Sequence, residues 1–439
     1  MITADNYLQL ADRLVMDVKN GVLKPGDKLL PQREFAYTRK IAPSTASRVY
    51  AELVKRGVAI GEVGRGTYIR AFDQMVPELG EPAKEPINMQ LNFSVLSGQA
   101  QDMVAGFEHL LRPDVLGEAM MPVKAAGDKL GRKAAASLLA QDDWTPNPDD
   151  ILFSGGGRQG IAAAMATVAT MGDRIGIEYM TYPVVKGIAA RLGITLVPLQ
   201  MDDEGMCINS LKEEHKKTPL KAIYMQPTLH NPLGTTMSVR RREQIADFVK
   251  EQDFYVIEDV VYAFLDNGVP FGYYAPSKTI TVESLSKRLT PGLNFGFMVC
   301  PPELKEPMTV ALRTGGWTSS GISYSTCLRW ISDGTVRKYE ELRRVEASER
   351  QKIALNILKD FEIRTDPQSY HIWMLLPDRW RAEEFCAAAA EKGVAISPAS
   401  VFAVAPGVAP NAIRIALAPP SDEELLCGLN IIKKLARVP

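Results

Sequence analysis

Residues 279–287 read TITVESLSK, an apolar β-branched run that leads into two serines and a lysine. The run has no helical period, so it predicts a short buried strand that opens into a loop at Ser284. A lysine at such a point can lose its charge by desolvation and become a nucleophilic amine. Taken alone, Lys287 is more often a surface lysine after a strand, because perturbed lysines are the minority. Its interpretation therefore depends on the other strands of the chain.

An anion-binding loop is predicted after an earlier strand. From about residue 91, helical stretches alternate with short apolar runs, the pattern of an α/β protein with a mostly parallel sheet. Ligands on such sheets bind at the carboxyl ends of the strands. Residues 154–159 read SGGGRQ, follow one of these runs and lead into a helix. Small residues at a helix N-terminus expose backbone N–H groups, so this loop is a candidate phosphate site.

Three further apolar runs lead to side chains that suit a flat, charged ligand. Tyr182 follows one run and is either core packing or a ring that covers a ligand. Asn231 follows the next, in a loop fixed by two prolines and a glycine. Asp259 and Tyr262 follow a third, and a buried carboxylate needs a cationic or hydrogen-bonding partner. With the anion loop and Lys287, these groups match the ring, ring nitrogen, ring oxygen, aldehyde and phosphate of pyridoxal 5′-phosphate (PLP).

The motifs HNPLG, DVVY, SLSK and IRIAL occur here in the order found in fold-type I aminotransferases, and the chain resembles that family over residues 91–439. The resemblance implies that Lys287 carries PLP as an internal aldimine and that Asp259 pairs with the pyridinium nitrogen. It also implies that Arg414 binds a substrate or effector carboxylate bidentately. The other cofactor contacts that it implies are Asn231 and Tyr262 at the ring hydroxyl, Tyr182 stacked on the ring, and Gly157, Arg158, Gln159 and Ser284 near the phosphate.

The chain departs from this family shortly after the lysine. The family usually has Pro-Gly-Leu-Arg there, and that arginine neutralises the phosphate. This chain has PGLN, with Asn294 in the arginine position. Arg288 or Arg158 is therefore expected to supply the missing positive charge.

The first seventy residues predict a winged helix-turn-helix. They contain three helical patterns and two β-like pieces around a glycine-rich tip, over residues 7–18, 31–36, 43–56, 58–60 and 67–69. Residues 1–70 carry 12 Lys+Arg against 7 Asp+Glu, a net charge of +5 that favours an anionic partner. The third helix would enter a major groove of double-stranded DNA, and Arg65 at the tip would approach a minor groove. The alternative is a small helical cap with a solvated charged face.

The stretches LKPGDKLLPQREFA, STASRVYAEL and GRGTYI make this segment resemble the DNA-binding head of the GntR superfamily over its whole length. Such heads usually open the recognition helix with Ser-Arg or Asn-Arg, whereas this chain has Ala42 and Pro43, so the usual arginine base contact is missing there. Phosphate contacts still supply much of the affinity for DNA. The DNA contacts implied by the resemblance are Arg33, Ser44, Thr45, Arg48 and Arg65.

Domain boundaries follow from these patterns and from composition. We expect a DNA-binding domain over residues 1–71, a semi-extended linker rich in proline and acidic residues over 72–90, and an aminotransferase-like domain over 91–439. A smaller C-terminal α+β part of that domain is expected from about residue 335.

Composition is that of a globular protein with a sizeable core, because 46% of the 439 residues are hydrophobic and 23% are charged. The five cysteines have no metal-ligand spacing and the four histidines are scattered, so no metal site is expected. Free thiols, the absence of a signal segment and charges within every long apolar run predict a cytoplasmic protein.

A GntR-type head on an aminotransferase-like body resembles the MocR subfamily of bacterial transcriptional regulators, of which the GabR-type regulators are members. The resemblance implies a head-to-tail homodimer whose body senses an effector. The first hypothesis is a PLP-dependent regulator that senses an amino acid or another primary amine through external aldimine formation. The second is an active aminotransferase with an accessory DNA-binding domain. The third is a regulator whose body has lost PLP and serves only for dimerisation, which the retained Lys287 and Asp259 disfavour.

Overall fold

The computed structural model describes residues 7–19, 22–23, 27–55, 58–62, 66–69, 85–93, 95–142, 144–266, 268–405 and 409–437. The chain divides into two compact units, Met1–Leu79 and Gly80–Pro439. Most of the linker predicted over residues 72–90 lies outside the described residues.

The first unit has the predicted order of three helices and a two-stranded ribbon. These elements are α1 (Tyr7–Lys19), α2 (Gln32–Arg39), α3 (Pro43–Lys55), β1 (Ala59–Glu62) and β2 (Gly66–Ile69). The two strands pair antiparallel, with Ala59 opposite Ile69. One apolar cluster that includes Leu14, Phe35 and Leu53 joins the helices.

The buried apolar face of α3 does not include Val54. Its side chain is 46% exposed, whereas Leu53 beside it is fully buried. Successive helical residues differ by about 100° around the axis, so two adjacent residues seldom both face a narrow core contact. Ser44, Ser47 and Arg48 of the same helix are exposed.

The second unit alternates helices and strands along the chain. Within the described residues its helices are α4 (Gln99–Leu110), α5 (Pro113–Ala119), α6 (Lys129–Leu139), α7 (Gly157–Val168), α8 (Pro183–Leu192), α9 (Ile208–Lys217), α10 (Val239–Glu251), α11 (Leu285–Arg288), α12 (Lys305–Thr314), α13 (Gly321–Ser332), α14 (Thr335–Ile357), α15 (Ala382–Glu391) and α16 (Asp422–Arg437). Its strands are β3 (Ile87–Asn88), β4 (Ile151–Ser154), β5 (Arg174–Glu178), β6 (Thr195–Leu199), β7 (Met201–Asp202), β8 (Gly205–Met206), β9 (Ala222–Met225), β10 (Tyr255–Asp259), β11 (Thr279–Ser284), β12 (Gly296–Val299), β13 (Ile363–Arg364), β14 (His371–Leu375), β15 (Val394–Ala395), β16 (Ser397–Pro398) and β17 (Ala412–Ala416).

A seven-stranded sheet in the order β4-β12-β11-β10-β9-β5-β6 forms the centre of this unit. All neighbouring pairs are parallel except the two made by β12, which is antiparallel to both β11 and β4. Every residue of β4, β9 and β11 is buried. Helices cover both faces of such a sheet, which is why these strands are continuous apolar runs without alternation.

A second, four-stranded antiparallel sheet in the order β13-β14-β17-β16 forms the C-terminal part. Its apolar residues pack against α14, α15 and α16 in a separate core that includes Ile372, Phe385 and Leu429. The smaller α+β part predicted from about residue 335 corresponds to this region.

The end of the predicted linker belongs to the second unit. Strand β3, at residues 87 and 88, pairs in parallel with β15. The next residue, Met89, donates its N–H to Ala395 O over 2.9 Å and accepts from Ala416 N over 2.8 Å. A two-residue strand is too short to produce a periodicity in the sequence, so composition alone does not separate it from the linker. No helix in the described part of the chain is long and apolar enough to cross a membrane.

Candidate functional site

Residues at or after the carboxyl ends of five parallel strands meet at one edge of the seven-stranded sheet. Lys287 lies just after β11, Asp259 ends β10, Asn231 lies in the loop after β9, Tyr182 follows β5, and Gly157 follows β4. Because these five strands run in the same direction, their carboxyl ends lie at the same edge. The sheet thus brings together the groups that were singled out from sequence.

The Lys287 amine is enclosed by aromatic rings. Its Nζ lies 3.5 Å from the centre of the Phe93 ring and 5.5 Å from the centre of the Tyr262 ring. It donates a 2.6 Å hydrogen bond to the Asn92 carbonyl oxygen. Asp259 lies close enough to favour the protonated amine.

The pKa of Lys287 lies well below the usual value of a lysine. Burial is the largest cause, because it disfavours the charged amine. The positive charges of Arg414, Arg158 and Arg343 lower this pKa further. The burial and the neighbouring cations therefore favour the neutral amine, which is the form that can attack a carbonyl carbon.

Asp259 is a buried carboxylate held by donors on two neighbouring segments. Its Oδ2 accepts from Tyr224 Oη at 2.7 Å and from Gln226 Nε2 at 2.8 Å. Its Oδ1 accepts from the Val261 N–H at 3.2 Å. Burial raises the pKa of Asp259, and these three donors oppose that rise. The arrangement fixes one oxygen and leaves the other able to accept a further hydrogen bond from a protonated ring nitrogen.

Arg414 on β17 reaches the same site from the C-terminal sheet. Its Nη1 donates to Asn231 Oδ1 at 3.1 Å, and its Nη2 donates to the Gln90 carbonyl oxygen and lies 3.5 Å from Ser397 Oγ. The guanidinium lies 4.9 Å from the Phe402 ring centre, and burial lowers the pKa of Arg414 to about 10. Its buried Nε has no hydrogen-bond partner among the described residues. A carboxylate would supply that acceptor.

A tight glycine turn, formed by Gly156 and Gly157, lies at the N-terminus of α7. A Cβ added at Gly157 would lie 3.3 Å from Ser284 Oγ. A Cβ added at Gly156, whose φ is +124°, would lie 3.1 Å from Gln159 Oε1 and 3.9 Å from Asn294 Cα. The serine, the glycine turn and the asparagine therefore gather where a helix N-terminus favours an anion.

Arg158 and Tyr182 form a pair beside this turn. The Arg158 Nε donates to Tyr182 Oη at 3.1 Å. Burial raises the pKa of the Tyr182 phenol, and the neighbouring guanidinium opposes that rise. Of the two arginines expected to replace the missing phosphate arginine, Arg158 is the one placed at the anion loop.

Arg288 does not fit the cofactor role expected from sequence. Its Nη2 lies 2.7 Å from Glu283 Oε2, and its Nη1 pairs with Glu340 Oε1. Only 4% of Arg288 is exposed. Both carboxylates hold the guanidinium in this buried cluster, so the charge of Arg288 is already neutralised and its side chain is not directed to the anion loop.

Several site residues were not found from sequence. His371 on β14 accepts from Asn92 Nδ2 at Nδ1 over 3.3 Å and donates from Nε2 to the His230 carbonyl oxygen over 3.0 Å. Burial lowers the pKa of His371 to about 3, so the ring is neutral. Its ring centre lies 5.9 Å from that of Tyr262, whose own pKa burial raises. Of Tyr224, Asn92 and His371, only Tyr224 has a sequence feature that could have indicated it, because it lies near the end of a predicted strand. No local pattern marks Asn92 or His371.

Of the residues expected to contact DNA, the four that the structure describes are at least partly accessible on the first unit. Arg33 in the first turn of α2 and Ser44 and Arg48 on α3 are exposed, and Thr45 is half-buried. The guanidinium of Arg48 lies 4.2 Å from the Tyr7 ring centre, which orients it without burying it. Arg65 lies outside the described residues.

Two family models match the chain. Residues 6–69 match the bacterial regulatory proteins of the gntR family, and residues 124–432 match aminotransferase class I and II. The uncharacterized HTH-type transcriptional regulator YdeF of Bacillus subtilis (strain 168) is 31% identical, with 98% of this chain and 94% of that protein covered. The uncharacterized HTH-type transcriptional regulator YdcR of Escherichia coli (strain K12) is 22% identical, with 90% and 92% covered.

Solved aminotransferases share the fold of the second unit. An archaeal alanine:glyoxylate aminotransferase superposes with a TM-score of 0.74 and 23% identity, over 82% of this chain and 92% of that one. The kynurenine aminotransferase of Pyrococcus horikoshii, solved in complex with PMP, has a TM-score of 0.74 and 21% identity over the same shares of the two chains.

The fold and the family match define a domain of the class I and II aminotransferases, a fold that typically binds PLP. The chain belongs to the HTH-type transcriptional regulators that join a GntR DNA-binding domain to such a domain, the MocR-type architecture.

Proposed function

We propose that this transcriptional regulator binds PLP at Lys287 and senses an amino acid or another primary amine there. The observation that carries the proposal is the convergence of a lysine of depressed pKa, a buried carboxylate and a buried arginine at one sheet edge. Strongly perturbed titratable groups that converge in this way are typical of functional sites.

The residues present fit PLP in three respects. The glycine turn at α7 offers backbone N–H groups and Ser284 Oγ to a phosphate, and a side chain at Gly157 would crowd that place. Asp259 retains an oxygen for a ring nitrogen. The buried Nε of Arg414 and the buried Oδ1 of Asn92 have no partner among the described residues, as expected where a ligand completes the hydrogen bonding.

PLP, when bound, supplies an aldehyde that exchanges between the lysine and an incoming primary amine. The residues of the chain perform the rest. The lowered pKa favours the neutral, nucleophilic form of Lys287, and Asp259 would hold the proton on the ring nitrogen. Tyr262 and Asn231 are the expected hydrogen-bond partners of the ring hydroxyl, and Arg414 orients the effector by its carboxylate.

Residual transamination is a second candidate function. Asp259 beside Lys287 favours it, because a pure binding site needs the lysine but has less use for a group that keeps the ring nitrogen protonated. Keto-acid formation from an amino acid, with stoichiometric conversion of the cofactor aldehyde to an amine, would demonstrate it. A regulator that only senses would also release the lysine from the cofactor, but it would form no keto acid.

We also propose that the protein acts as a homodimer on double-stranded DNA. The second unit exposes large apolar side chains on α4, α6 and α13 and between them, namely Phe107, Leu111, Met121, Leu130 and Ile322. Helix α13 packs against both α4 and α6, and apolar side chains exposed on neighbouring helices are common at subunit interfaces. Sedimentation equilibrium tests the dimer directly.

The experiment that tests the proposal is reduction of the purified protein with borohydride after addition of PLP. The wild-type protein should lose a visible absorption band, and a peptide map should place the reduced pyridoxyl group on Lys287. The variant Lys287→Ala should show neither result. Modification of a different lysine would contradict the assignment.

A further inference from the structure

The two charged residues that flank the SLSK motif, Glu283 and Arg288, form a buried ion cluster with Glu340 of α14. Arg288 Nη2 and Nε lie 2.7 Å and 3.1 Å from Glu283 Oε2, and Nη1 donates to Glu340 Oε1. The exposed fractions are 0% for Glu283, 4% for Arg288 and 6% for Glu340. Glu283 and Arg288 thus lie on either side of Lys287 in the sequence. Through Glu340, the cluster links the turn that carries Lys287 to α14, more than fifty residues later in the chain.

The main chain of the same turn is held by α14 as well. Arg343, one helical turn after Glu340, donates from Nε to the Arg288 carbonyl oxygen at 2.9 Å and from Nη2 to the Leu289 carbonyl oxygen at 2.7 Å. Gln99 Nε2 donates to that second carbonyl oxygen at 2.9 Å. Carbonyl groups at the end of a helix lack partners within it, and here side chains from other elements supply them.

Two physical arguments indicate that the cluster positions the turn that carries Lys287 rather than adding to the stability of the fold. Helix α11 has four residues, and a helix of that length does not hold its own conformation. A buried ion cluster loses solvation on folding, so well-packed apolar side chains of similar volume would often stabilise the fold equally well or better. What an apolar replacement cannot supply is directional hydrogen bonding to a turn.

We propose that Glu283, Arg288 and Glu340 are positioning residues that orient the Lys287 amine toward the aldehyde of the cofactor. This inference rests on the proposed function, since it assumes that PLP binds at Lys287. The cluster holds the side chains of the turn and Arg343 holds its main chain, while the amine donates to the Asn92 carbonyl oxygen and lies 5.5 Å from the centre of the Tyr262 ring.

The same helix continues to the part of the fold that carries Arg414. Tyr370, which precedes β14, donates to the Arg343 carbonyl oxygen and lies 2.6 Å from Glu346 Oε2. Arg350 donates to the Leu417 carbonyl oxygen, just after β17, at 2.8 Å. A single helix thus carries contacts to both the lysine turn and the arginine strand.

The experiment compares Glu340→Gln with Glu341→Gln. Both changes remove one carboxylate from adjacent positions of α14, but Glu341 is exposed and has no part in the cluster. A third variant, Glu283→Leu with Arg288→Met and Glu340→Leu, replaces the cluster by apolar side chains. These side chains leave no buried charge unpaired, so this variant is expected to fold. Circular dichroism checks that it does.

Two measurements are made on each variant. The first is the dissociation constant of PLP by absorbance titration. The second is the rate at which trinitrobenzenesulfonate labels Lys287 in the cofactor-free protein, mapped by mass spectrometry. We expect Glu340→Gln and the triple variant to bind PLP about tenfold more weakly, as for one lost charged hydrogen bond, and to change the labelling rate of Lys287. Glu341→Gln should match the wild type in both.

A folded triple variant that binds PLP and labels like the wild type would overturn the inference, because directional hydrogen bonds would then be unnecessary. Failure of the wild type to bind PLP at all would instead overturn the proposed function. In that case the labelling rates of the cofactor-free proteins would still decide whether the cluster orients the amine.

Discussion

Replacing Asn294 with arginine should have opposite effects on cofactor affinity and on folding stability. Asn294 has φ +47° and ψ +58°, in the left-handed region, and its Cα lies 3.9 Å from the position of a Cβ added at Gly156. Asparagine tolerates this conformation better than residues with long side chains do. We expect Asn294→Arg to lower the free energy of unfolding of the cofactor-free protein by about 1 kcal/mol.

The effect on affinity follows from the phosphate. A charged hydrogen bond contributes about 1.5–3 kcal/mol, so a guanidinium at the glycine turn should tighten PLP binding about ten- to hundredfold. The backbone strain does not reduce this gain, because it is present with and without the cofactor and therefore cancels in the binding equilibrium.

Two assays separate the effects. Absorbance titration gives the dissociation constant of PLP, and urea denaturation of the cofactor-free protein gives the free energy of unfolding. Asn294→Gly is the matched control: it relieves any strain, adds no charge, and should leave the affinity for PLP unchanged. An unchanged dissociation constant in Asn294→Arg would refute the reasoning and show that another group, with Arg158 the nearest candidate, already neutralises the phosphate.

Three further outcomes are expected. Arg48→Ala should weaken promoter binding and reduce the slope of log K against log salt by about 1 in fluorescence anisotropy, and an unchanged slope would contradict a phosphate contact. Arg414→Ala should retain PLP but lose the response of promoter binding to added amino acids, and a full response would mean that no carboxylate is bound there. The pKa of Lys287 is lowered in the folded protein, so between that lowered pKa and the ordinary lysine value of 10.5 the unfolded chain binds more protons than the folded protein does. The free energy of unfolding of the wild type therefore rises with pH in this range. Lys287→Met should therefore make the cofactor-free protein more stable at neutral pH in thermal melts, with a gap that narrows toward pH 10.5, and a constant gap would contradict a buried neutral amine.

Local sequence was sufficient for the groups that lie at strand ends. Lys287, Asp259 and Asn231 each follow an apolar run within a few residues, and parallel strands place their carboxyl ends on one edge. Once the runs are recognised as parallel strands, the chain order of the motifs predicts the site. The same holds for the helix-turn-helix, whose core positions repeat with the helical period.

The partners of Arg288 could not be predicted from local sequence. From sequence it is a cation next to the cofactor lysine, and therefore a candidate phosphate ligand. In the structure its partners are Glu283, five residues before it, and Glu340, fifty-two residues after it. A side chain is directed by the charges around it, and α14 brings one of those charges only after the chain has folded.

The sequence by itself thus determined the two-part organisation, the α/β fold and the residues at the ends of its parallel strands, because periodicity and strand order are local properties. Tertiary structure decided the rest. It placed Asn92 against Lys287 across 195 residues of chain, brought His371 beside Tyr262, and turned Arg288 toward two carboxylates. Desolvation and charge pairing depend on which distant segments pack together, and no local pattern records that.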